Sequence, residues 1–108
     1  MPKTTYANQR HVRVEQLPRS KDNVYAMMNV DALNEAMKNL KHAELRLWLY
    51  LNKNQNHYEL DLSPAAVRKA CGLPESSYHR AFEGLISAGY LVPDDNGTNT
   101  YIFYEAPQ

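Results

Sequence analysis

The sequence predicts an α+β, mainly helical fold, with a three- to four-helix core closed by a C-terminal β-hairpin. Three observations lead there. Apolar residues recur at helical spacing between Ala32 and Leu51. Two further helical stretches are punctuated by Ser63-Pro64, Gly72 and Gly89. Two β-rich runs, Tyr90-Leu91-Val92 and Thr100 to Tyr104, flank a connection containing Asn96-Gly97. At 108 residues and 44% apolar content the chain has room for one domain. A domain of this size buries roughly two-thirds of the surface that its unfolded chain exposes.

Val24 to Val30 carries β-formers at its ends and is expected to be a strand. Asp31 suits a helix N-cap, with Ala32, Leu33, Ala36, Met37 and Leu40 as the inner stripe of the helix that follows. Ala43 to Leu51 is apolar on nearly every side, including Trp48, so this helix should be the hub of the core. Tyr58 to Leu62 alternates with period two and reads as a short strand. Ser63 then caps a helix with Pro64 at its first position, and Val67 and Cys71 form its inner face with Ala70 beside them. Gly72 stops it in a left-handed C′ conformation. The next helix, Glu75 to Ala88, turns Tyr78, Ala81, Phe82, Leu85 and Ile86 inward, and Gly89 closes it.

Net charge is zero, with 12 basic and 12 acidic side chains, but it is unevenly spread. Residues 1–21 hold five basic groups against Glu15 alone, a net +4, and residues 22–108 hold seven against eleven, a net −4. Residues 1–23 are therefore set apart from the domain at 24–108. Two readings of this segment stand side by side: a solvated terminus, or a basic arm that meets polyanion through Arg10, Arg13, Arg19 and Lys21. Its Val12/Val14 alternation also allows a short strand added to a sheet edge.

The order of elements is carried most clearly by Leu62-Ser63-Pro64 through Cys71-Gly72-Leu73, and then by Ser76 through Gly89-Tyr90-Leu91. It resembles a winged helix-turn-helix domain. Tyr25 to Leu51 is similar to the N-terminal winged helix of plasmid and phage replication initiators and of small bacterial regulators. The resemblance spans about 80 residues, from Val24 to Tyr104. It implies sequence-specific binding of double-stranded DNA, by a transcriptional regulator or a plasmid or phage replication or partition factor. It also implies a homodimer in the cytoplasm, associated with the nucleoid. Arg68 stands where such domains have a small residue. Lys41 stands where a Ser or Thr would cap the central helix ahead of Glu44, so the two upstream helices either run together or join through an irregular turn. Asp94 and Asp95 occupy the wing, where DNA-binding relatives carry lysine or arginine.

The inner stripe of helix 75–88 leaves Ser76, Ser77, His79, Arg80, Glu83 and Ser87 facing outward. A major groove admits such a helix, and arginine pairs bidentately with guanine. Ser76 and Ser77 suit phosphate, and Arg68 and Lys69 on the preceding helix suit the backbone. The contrary reading is that Arg80 merely pairs on the surface with Glu75 or Glu83. The alternative function is a winged-helix protein-interaction module without specific DNA binding, favoured by the acidic body and wing.

Other chemistry is not expected. His79 and Glu83 have metal-compatible spacing but lack a third ligand, and His11, His42 and His57 are scattered. Ser76, Ser77 and His79 diverge on one helix and make no catalytic set, so no enzyme and no cofactor are expected. With four glycines there is no phosphate loop. Cys71, the only cysteine, excludes a disulfide framework and reads as a buried small apolar residue. No leader-like apolar stretch follows Met1, and no run is long enough to span a membrane. Among the eight tyrosines, Tyr78 and Tyr90 are expected to pack the domain, and any exposed excess would suit self-association.

Overall fold

A computed structural model of the chain describes residues 9–15, 27–53, 62–94 and 99–108. Among these residues four helices precede a two-stranded antiparallel sheet: α1 (Val30–Asn39), α2 (His42–Lys53), α3 (Pro64–Cys71), α4 (Glu75–Ser87), β1 (Leu91–Pro93) and β2 (Tyr101–Phe103). The architecture is α+β and mainly helical, as expected. Among the described residues no helix is long and apolar enough to cross a membrane.

The start of α1 corrects the sequence reading. Residues 27–29 are not a strand, and Val30 already belongs to the helix; Val24 to Ala26 lie outside the described residues. The cap is Asn29, not Asp31. Its side-chain oxygen accepts from the Ala32 N–H at 3.0 Å, satisfying one of the donors that a helix start leaves over. Ala32, Ala36 and Leu40 are buried and Leu33 is half-buried, whereas Met37 is 52% exposed and leaves the expected stripe.

Helices α1 and α2 do not run together. The chain breaks at Leu40–Lys41, and the Lys41 N–H donates to Glu44 Oε1 at 3.0 Å. Glu44 thus makes the reach-back half of a capping box although no hydroxyl stands at the cap. The same carboxylate lies directly over Gly84 of α4, where a Cβ would collide with Glu44 Oε2. Glycine here lets α4 approach α2.

Helix α2 is the hub that its composition implies. Leu47 and Trp48 are fully buried, and with Val67, Leu85 and Tyr90 they form the centre of the core. Trp48 Nε1 donates to the Glu105 carbonyl at 3.2 Å, which ties the C-terminal tail to the hub. The Gln108 N–H donates to the Gly89 carbonyl at 2.9 Å and fixes that tail against the end of α4.

Ser63 caps α3 by accepting from the Ala66 N–H at 3.1 Å, with Pro64 in the first turn, and Gly72 ends it at φ +73°. No atom lies near the position a Gly72 Cβ would take, so glycine is needed for its backbone conformation and not for space. Val67 is buried and Cys71 half-buried, its thiol donating to the Val67 carbonyl. Ala70, expected beside them, is exposed, and Leu73 just beyond the turn is buried in its place.

Helix α4 ends at Ser87, with Ala88 as its cap. The hairpin then pairs Leu91 with Phe103, Val92 with Ile102 and Pro93 with Tyr101. Tyr90, Thr100 and Tyr104 flank the strands instead of lying within them. Among the described residues the sheet has these two strands, and Val12 and Val14 are exposed and not paired with it. The expected strand at Tyr58 to Leu62 falls outside the described residues except for Leu62, which is not in a strand. The Asn96-Gly97 turn lies outside them as well.

Candidate nucleic-acid interface

Three residues, Gly72, Leu73 and Pro74, join α3 to α4. Tyr78, Ala81 and Leu85 bury one side of α4, with Phe82 and Ile86 half-buried at its flanks. At 3.6 residues per turn this orientation leaves Ser76, Arg80, Glu83 and Ser87 in a single stripe on the opposite side. All four are exposed, as is His79 beside them, while Ser77 is half-buried. The 13-residue helix presents this stripe over roughly 20 Å.

The polar contacts along α4 differ from those considered on spacing alone. His79 Nε2 lies 3.6 Å from Glu75 Oε1, not beside Glu83. Glu75 stands in the first turn, where the helix dipole favours a carboxylate. Arg80 pairs with neither glutamate. Its Nη2 donates to Ser77 Oγ at 3.5 Å, the long limit of a hydrogen bond, so little holds the guanidinium back from an incoming acceptor. Among the described residues no three His, Cys, Asp or Glu side chains gather as a metal-binding group.

A row of rings runs from this face to the hairpin. The Tyr78 ring meets His79 edge-on at 5.2 Å and Phe82 at 6.1 Å, and Phe82 meets Tyr101 of β2 edge-on at 4.9 Å. These contacts fix the hairpin relative to α4. Burial raises the Tyr78 phenol above its ordinary pKa, and the neighbouring Tyr50 phenol adds to the effect. The i, i+4 spacing of Tyr78 and Phe82 was visible in the sequence. The partnership with Tyr101, which stays exposed on β2, was not.

Arg68 and Lys69 are exposed in the last turn of α3, one tight turn before α4. Arg68 is therefore not packed where a small residue was expected. Arg10 and Arg13 lie exposed in the segment 9–15, with Arg13 Nη1 3.7 Å from Glu15 Oε1. Arg19 and Lys21 lie outside the described residues. Asp94 follows β1, its N–H donating to the Thr100 carbonyl at 2.8 Å, and Asp95 is not described.

Chemically, the outer stripe of α4 offers hydroxyl donors near the helix start, a guanidinium at mid-helix and a carboxylate one turn further on. Arginine recognises guanine O6 and N7, a carboxylate accepts from cytosine N4, and serine serves phosphate or base. Set against known proteins, the chain matches no family model, no curated protein and no solved structure.

Proposed function

We propose that the chain is a winged helix-turn-helix protein that binds double-stranded DNA sequence-specifically. In this reading α4 enters the major groove and the β1–β2 hairpin serves as the wing. One observation carries the reading: Arg80 stands exposed at the middle of the α4 stripe, bound to neither nearby carboxylate, on a helix whose opposite side is fixed in the core. Arg80 would read a guanine edge. Ser76 and Ser77 would take phosphate at the helix start, and Arg68 and Lys69 would take the backbone alongside. The basic arm at residues 1–23 would add sequence-independent affinity through counterion release.

A second reading has its own support. Glu75 and Glu83 offset Arg80 on α4, and Asp94 marks the base of the hairpin. A face so balanced suits a protein partner at least as well as a polyanion at long range. Selection of bound sequences from a random duplex pool separates the two. DNA reading requires an enriched motif in duplicate selections. A protein-interaction module would return the input pool and would pass through heparin at low salt.

A further inference from the structure

We infer that the outer face of α1 is a homodimer interface on which a second copy of the chain packs antiparallel about a twofold axis. Helix α1 buries Ala32 and Ala36 against the domain, yet Val30 is 65% and Met37 52% exposed. They are seven residues apart, two helical turns, and so lie on one line along the helix. Half-buried Leu33 sits between them on the side toward the core. Among the described residues, Met27 and Met28 extend the exposed apolar surface just before the helix. The result is an apolar seam, not a scattered pair.

Charge selects both the occupant and its direction. Asp31 and Lys38 are exposed, also seven residues apart, and run in a line beside the seam. In a parallel pair the twofold axis runs along the helices and carries the two Asp31/Lys38 lines to opposite sides of the seam, where they form no cross-pairs. An antiparallel copy, with its axis near Asn34, sets Val30 across from Met37 and Asp31 across from Lys38, twice over. That is the self-complementary pattern of an isologous contact. Lys38 Nζ now lies 3.8 Å from Glu35 Oε1 on its own helix, an exposed contact that a second copy's Asp31 can share or replace. Helix α1 is ten residues long, about 15 Å, so the contact belongs below the ~1,200 Å² of standard interfaces and gives a weak dimer.

Sedimentation velocity on the full chain, from about 1 µM to about 1 mM without DNA, provides the test over the corresponding range of weak affinities. Wild type should pass from monomer to dimer within that range. Asp31→Lys and Lys38→Glu should each weaken association at least tenfold, since each turns two attractive contacts into repulsive ones. An equimolar mixture of the two variants should recover association near the wild-type level, because every cross-pair is then opposite in sign. Recovery in the mixture cannot arise from misfolding of either variant. A wild-type monomer throughout, variants that dimerise as wild type does, or a mixture no tighter than its components would each overturn the interface. Because DNA is absent, failure here leaves the DNA reading standing, and the reverse holds too.

Discussion

Removing the Trp48 indole is the sharpest probe of the packing. Trp48 is fully buried in α2, and its N–H is bonded to the Glu105 carbonyl. Trp48→Ala deletes a bicyclic ring from the centre of the core, for which large-to-small substitutions cost about 3–5 kcal/mol. A chain of 108 residues has about 5–16 kcal/mol of total stability at ordinary per-residue values, so the variant sits between clearly weakened and nearly unfolded. Trp48→Phe keeps one ring and much of the packing but loses the N–H donor. It should cost about 1–2 kcal/mol, of which the hydrogen bond contributes about 1 kcal/mol. Trp48 is the only tryptophan, so urea unfolding must be followed by far-UV circular dichroism, which reads all three proteins alike. The denaturant slope should stay constant while the midpoint moves. In Trp48→Phe, amide exchange near Glu105 should also quicken, because the tail loses its tie to α2. A loss under about 1 kcal/mol for Trp48→Ala would show that α2 is not the hub.

Three other outcomes are expected. Gly84→Ala gains about 0.5–1 kcal/mol of helix preference but displaces Glu44 from the Lys41 N–H, so urea melts should show it neutral to mildly destabilising; in a Glu44→Ala background the same change should become stabilising. The raised Tyr78 pKa means that the folded state holds its phenolic proton longer than the unfolded chain, so its contribution is complete below pH 10.0 and fades as pH climbs through the folded value; Tyr78→Phe should flatten the alkaline fall in stability seen in melts between pH 9 and pH 11.5. Deleting residues 1–21 should leave the thermal transition unchanged and lower the salt slope of duplex binding by about two to three, with specific and random DNA weakened alike; superimposable slopes would remove the arm from the DNA-binding model.

The α3–turn–α4 unit was legible because its boundaries rest on local chemistry. Ser63, Pro64 and Gly72 act through their own backbone and side-chain preferences, and the structure finds each in that role. The inner stripe of α4 followed from spacing, and with it the exposure of Ser76, His79 and Arg80. Around Val30 two local preferences compete. β-formers argue for a strand, but an asparagine three residues ahead of Ala32 can close a helix start, and the cap prevailed. Met37 is apolar and its spacing suits the inner stripe, yet the buried side of α1 is built from the small Ala32 and Ala36. Side-chain pairing on α4 was beyond sequence. Glu75 and Glu83 both stand four residues from His79, and only rotamers decide between them. The Phe82–Tyr101 contact joins residues nineteen apart in the chain through the hairpin, which no local pattern encodes.

If α4 reads base edges through Arg80, base-by-base substitution of a selected duplex shows it most directly. Binding of wild type, Arg80→Ala and Arg46→Ala should be measured by fluorescence anisotropy at one fixed salt concentration, on the selected site, on each single-base variant and on random duplex. Arg46 is exposed on α2, not on the proposed reading helix, and serves as the comparison. Arg80→Ala should lose about 1–3 kcal/mol on the selected site and become indifferent to one base pair, a G·C, while Arg46→Ala keeps the full sequence preference. If Arg80→Ala retains every base preference, or if the two variants lose equally on selected and random duplex, α4 is not the reading helix.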